Sequence, residues 1–111
     1  MKFTREGDTY TITFDTKEYS VSDLEEYKMK NDEMLESKTP IHIIYEASNL
    51  NIPPMSILMP LVWYMMSKKA RVREIVKHTT IRCTTRAKLW FDRLFLIYKP
   101  ASSYTIEVLE P

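Results

Sequence analysis

The run Ile41-His42-Ile43-Ile44-Tyr45 limits what this chain can become more than any other stretch. Closely spaced β-branched residues favour an extended strand, and the lack of polar alternation predicts a strand covered on both faces. A polar connection, residues 46–54, follows it and leads into a segment without a single charge as far as Met66. A helix entered so soon after a strand is how an α/β fold covers its sheet. Ser56 stands where that helix should begin. An N-cap there makes Pro60 acceptable in the first turn, where backbone amides lack intrahelical partners anyway. Leu58, Leu61, Val62, Met65 and Met66 keep helical spacing, and the segment then turns basic through Lys68, Lys69, Arg71 and Arg73, ending near Lys77.

The flanking segments read as further strands and helices. Residues 1–14 alternate apolar and polar positions on either side of Glu6-Gly7-Asp8, a hairpin whose turn holds the glycine. Ser22-Asp23-Leu24-Glu25 has the spacing of a capping box, so a helix is expected from there, with Leu24, Tyr27, Met34 and Leu35 as its apolar stripe and Pro40 beyond its end. The β-branched run 79–83 predicts another strand. Thr84 or Thr85 can cap a third helix, residues 86–95, and the alternating residues 104–109 predict a last strand near an edge. The expected fold is α/β: a small single domain over residues 1–111, with an N-terminal hairpin, a mixed and mostly parallel sheet, and about three helices.

Composition narrows the chemistry. Gly7 is the only glycine, which excludes the usual glycine-rich loops that approach phosphate with bare backbone. The single cysteine, Cys83, cannot form an internal disulfide, and no basic leader with an apolar core opens the chain, so a reducing, cytoplasmic setting is expected. The uncharged run 52–66 is shorter than the roughly 20 residues of a spanning helix and is broken by Pro53, Pro54 and Pro60, so no membrane span is expected. Charge is divided unevenly. Residues 1–54 carry six Lys/Arg against eleven Asp/Glu, whereas residues 55–111 carry ten against four.

Strand, loop and helix in this order resemble the sulfate-transporter and anti-sigma-factor-antagonist domain, usually called STAS. In that family the central strand leads into an acidic residue, an aliphatic, Ser, any residue and an aliphatic, here Glu46-Ala47-Ser48-Asn49-Leu50. Asp-Ser-Ser-Gly then opens the next helix, and Pro54-Met55-Ser56-Ile57 stands at those positions, retaining the second serine. The resemblance implies a non-catalytic regulatory module, anti-sigma-factor-antagonist-like, that binds a protein partner under control of serine phosphorylation. Ser56 is the phosphoacceptor it implies, and Ser48, Asn49, Asn51 and Met55 complete the contact loop.

Each candidate also has an ordinary reading. Ser56 at an N-cap would satisfy an orphan amide, worth about 1 kcal/mol. A phosphate there would instead meet free amides and the helix dipole while presenting about −1.5 to −2 charges. His42, in a strand expected to be covered on both sides, reads as a hydrogen-bonded core imidazole. Neither His42 nor His78 has Cys or acidic neighbours at ligand spacing, so no metal site and no cofactor are expected. Cys83 reads as a small buried residue, no carboxylate pair can be nominated for acid/base work, and an enzyme is not expected. The basic group Lys68, Lys69, Arg71, Arg73, Lys77, Arg82, Arg86 and Lys88 reads as a solvated face that could steer an acidic partner. Nucleic acid is disfavoured by a net charge of only +1 and by the lack of a recognised binding signature. Three functions stay open: a STAS-like interaction module contacting residues 48–56 and the helix start, a carrier of a small apolar or lipid ligand, and a homo-oligomeric subunit. The carrier requires an apolar cavity behind the Met-rich helix, and the oligomer requires an extended apolar patch.

Overall fold

The structure is a computed structural model that describes residues 1–14, 19–48 and 51–108. Its strands are β1 (Lys2–Glu6), β2 (Thr9–Thr13), β3 (Ile41–Glu46), β4 (Val76–Cys83) and β5 (Ser103–Val108). They form one mixed sheet in the order β1-β2-β3-β4-β5, antiparallel between β1 and β2 and parallel thereafter. The hairpin turns on two residues, with Gly7 at φ 62° as the first, the position where a II′-type turn demands glycine.

Four helices connect the strands: α1 (Val21–Leu35), α2 (Met55–Ser67), α3 (Lys69–Ile75) and α4 (Thr85–Ile97). The expected second helix is therefore divided at Lys68, which closes α2 and opens α3, and α3 runs directly into β4. Helix α1 begins two residues earlier than its Ser22 motif suggests. Ser20 Oγ accepts from Asp23 N at 3.2 Å while Asp23 Oδ2 accepts from Ser20 N at 2.9 Å. The competing box loses because only this frame puts Tyr19 just before the cap and Leu24 at the fourth helical position, where the two pack together with Ile57. Thr84 caps α4 by accepting from Ala87 N at 3.3 Å.

Three parallel steps in one direction, each with a right-handed crossover, put every helix on the same side of the sheet. On that side Ile12, Ile41, Ile43 and Val76 pack under Tyr27, Met34 and Leu35 of α1 and Ile75 of α3, and Ile81 and Cys83 pack under Ala87 of α4. Among the described residues nothing covers the other side. The expectation that β3 is covered on both faces is thus corrected: Ile41 and Ile43 are buried, whereas His42 is exposed and Ile44 half-buried. The bare face is polar apart from Ile44, with Thr4, Thr11, Ile44, Thr80 and Thr105 in one rank and Lys2, Thr13, Glu46, Arg82 and Glu107 in the next. A bulge opposite Ile41 and His42 admits Lys77 as an extra residue, so Val76 enters the core while His78 faces outward.

Candidate functional site

The junction between β3 and α2 is built as follows. After Glu46, Ala47 is buried and its amide donates to Arg82 O at 2.8 Å, prolonging the pairing with β4 by one residue. Ser48 Oγ donates to Glu46 Oε1 at 3.0 Å. Asn49 lies outside the described residues, and Asn51 is exposed. The N-cap of α2 is Pro54, in extended conformation and without a side-chain cap bond, so Met55 and Ser56 are the first two helical residues. Ser56 is therefore not the N-cap. It is exposed, in the first turn. The earlier start also moves Pro60 out of the first turn, to a position where it removes the amide that would bond Ser56 O.

Helix α2 carries no charge at any position and is apolar around its whole circumference. Its inner side buries Ile57 and Leu58 and rests Leu61 and Tyr64 on the core. Its outer side exposes Met55, Met59, Trp63 and Met66, with Met55 at 62% and Trp63 at 63% of full exposure. The spacing of four, four and three residues puts those side chains in one row. The row begins beside Ser56 and is continuous with the loop. The Met-rich character of 55–66 is visible in the sequence, but which methionines face outward is decided by how α2 sits on α1.

A cleft lies beneath α2. Helices α2 and α4 diverge over β3 and β4 and leave an almost wholly apolar cavity of about 140 Å3, walled by Leu58, Leu61 and Met65 on one side and by Trp90, Phe91 and Phe95 on the other. An adjoining lobe of about 90 Å3 shares Tyr27, Tyr45, Met65 and Phe95 and reaches Asn31. The Tyr27 and Tyr45 hydroxyls are 2.8 Å apart between the two lobes. Burial raises both phenols, Tyr45 to about 12, so both are neutral hydrogen-bonding groups at ordinary pH.

The basic residues do not form one face. Lys68 is 3.4 Å from Asp32 and lies over the Tyr64 ring, and Lys69 lies over the Tyr98 ring. Arg71 donates from Nε to Leu35 O at 2.6 Å and from Nη2 to Ser37 O at 3.0 Å, and pairs with Glu74 at 3.1 Å. Arg73 is exposed. Arg82 belongs to the open sheet face, between Glu46 and Glu107, and Lys88 pairs with Asp92 on α4.

The other chemistry-bearing groups lie apart. His42 is on the open face and not in the core. Its expected burial fails because the strand is covered on one side only. His78 shares that face, with Nδ1 2.8 Å from Ser103 Oγ and Nε2 2.8 Å from Thr105 Oγ1. Cys83 is fully buried, and burial pushes its thiol up. Among the described residues no group of three His, Cys, Asp or Glu side chains could hold a metal ion, and no helix is long and apolar enough to cross a membrane. Comparison of the chain with protein-family models, with curated proteins and with solved structures gives no match.

Proposed function

We propose that this chain is a non-catalytic interaction module of the STAS kind, with a protein partner docking on the outer row of α2 and the loop that leads into it. One observation carries the reading: Met55, Met59, Trp63 and Met66 stand exposed in line on a helix with no charge. A helix apolar all round is stable when something covers its second side, and exposed Met and Trp side chains are suited to adaptable, high-burial contacts. Ser56 adjoins that row in the first helical turn, which has no side-chain cap. A phosphate there would be favoured by the helix dipole and would set a charge against an otherwise apolar contact, giving the partner a switch.

Several groups support the non-catalytic part. The two histidines are on an open face, Cys83 is sealed with its thiol raised, and the deep phenols are held neutral. The cavity beneath α2, at about 140 Å3, falls below the roughly 300 to 1,000 Å3 of pockets for drug-sized ligands, which disfavours a lipid carrier.

The test is a photoreactive amino acid placed at Trp63 in the native host, with Thr11 on the open sheet face as the control position. The expected product is a discrete cross-linked species at position 63 that Met59→Lys abolishes, with a mass other than twice the chain's 13.2 kDa. A product of twice that mass would instead establish a homo-oligomer. Equal labelling at both positions refutes the docking row. Phosphorylation is tested separately by the mass of the chain isolated from that host.

A further inference from the structure

We propose that the slot between α2 and α4 binds a small uncharged molecule about the size of one six-membered ring and bearing a single hydroxyl group, such as a phenol. The ring occupies the apolar lobe and the hydroxyl points to Asn31 and the Tyr27–Tyr45 pair. This site is distinct from the outer row of α2 and does not depend on a protein partner.

Size comes first. The apolar lobe, an open-sided cleft of about 140 Å3, has close to the roughly 150 Å3 of an enclosed apolar protein cavity that takes up benzene. Its walls are aromatic and aliphatic side chains, Leu61, Met65, Trp90, Phe91 and Phe95 among them, which offer ring-edge and dispersion contacts and no partners for water. A void of this kind forfeits packing energy until it is filled.

Polarity at the inner end then selects among apolar ligands. Asn31 is 5% exposed, on the wall of the adjoining lobe, and donates from Nδ2 to Tyr64 Oη at 3.0 Å. Its amide cannot be turned round: Tyr64 Oη has two acceptors for its one hydrogen, Asp32 Oδ1 at 2.5 Å and Lys28 O at 3.1 Å, and needs a donor from Asn31, not a further acceptor. Among the described residues no donor reaches Asn31 Oδ1, and since none of their buried side-chain N or O atoms lacks a partner, that oxygen is open to water. The Tyr27–Tyr45 contact is likewise the one hydrogen bond of both hydroxyls among the described residues, and it consumes one hydrogen of two. The lobe thus offers an accessible acceptor and a spare hydrogen, which a hydroxyl, being both donor and acceptor, can engage in place of water. A carboxylate is disfavoured, because it would bring a charge among apolar walls where the lining cation, Lys68, is already paired with Asp32.

The experiment titrates the full chain with benzene, phenol and benzoate, reading Trp90 fluorescence and amide shifts by NMR. Phenol should bind saturably and at least fivefold more tightly than benzene, and benzoate should not bind. Two variants fill the apolar lobe from opposite walls, Val62→Phe from α2 and Ala47→Leu from the sheet; each should weaken phenol at least tenfold while the thermal midpoint is kept or raised. Tyr45→Phe and Asn31→Leu should each erase the preference for phenol over benzene, and either suffices if the other fails to fold. No saturation by phenol, equal affinity for phenol and benzene in the unaltered chain, or unchanged phenol binding in a folded cavity-filled variant overturns the proposal.

Discussion

Arg71 is the residue whose structural role departs most from what its charge suggests, and replacing it with methionine isolates that role. Helix α1 ends without a basic residue in its last turn. Its last carbonyl and one just past its C-cap are met from another element: Arg71 on α3 donates to Leu35 O and Ser37 O at 2.6 and 3.0 Å. Methionine keeps the aliphatic stem and removes the fork. A hydrogen bond from a charged donor contributes about 1.5 to 3 kcal/mol when buried, and a cation at a helix C-terminus adds about 0.3 to 1 kcal/mol. The Arg71 side chain is 41% exposed, so water replaces much of what is lost, and a total of about 1.5 to 2 kcal/mol is the reasonable sum. For a chain of 111 residues an unfolding entropy of about 2.1 cal/mol/K per residue converts that to a fall of roughly 6 to 9 °C in Tm. The pair with Glu74 is exposed and contributes little, so Glu74→Gln should leave Tm within about 2 °C. Arg71→Lys should recover less than half, since a point charge cannot serve two carbonyls at once. Thermal and urea unfolding of the three variants measure this. An Arg71→Met protein as stable as the parent, or one no less stable than Glu74→Gln, would refute the clamp and return Arg71 to the surface.

Three further outcomes follow from the same structure. Ser20→Ala should cost about 0.5 to 2 kcal/mol in urea unfolding, whereas Ser22→Ala, inside the first turn, should cost less than about 0.5, which separates the two candidate caps. Burial raises the phenols of Tyr27 and Tyr45, the latter to about 12, so the folded state holds those protons more tightly than the unfolded one. Their contribution is therefore complete below an unfolded pKa of about 10 and is lost as pH rises from there toward the folded value. Urea midpoints measured on either side of that range should fall on the alkaline side, and less steeply in Tyr45→Phe; a flat profile contradicts the assignment. Cys83 is fully buried with its thiol raised. A thiol reagent should consequently modify it at the rate of unfolding, and fast modification under native conditions would show the α4 contact to be open.

Apolar and polar alternation at both ends of the chain, and β-branched runs at 41–45 and 79–83, were enough to locate the strands, the hairpin about Gly7, and a mostly parallel sheet with helices between its strands. Those are local properties, because side-chain period and turn chemistry act over a few residues. The helix expected to end near Lys77 stops at Ile75, and β4 begins at Val76. Choices between equivalent local signals were made by packing. Ser20 rather than Ser22 caps α1 because Tyr19 and Leu24 meet Ile57 from a distant helix. Pro54 rather than Ser56 opens α2. Arg71 leaves the expected basic surface because the end of α1 lies within its reach. Most decisive was the direction of the three crossovers. It placed all helices on one side, exposed His42, and turned the threonines of β2 into part of a wide polar face. Two features could be seen only in three dimensions: the row from Met55 to Met66 and the cavity beneath it. Each depends on how α2 leans against α1 and away from α4, which is set by contacts between residues far apart in the chain and by no periodicity within it.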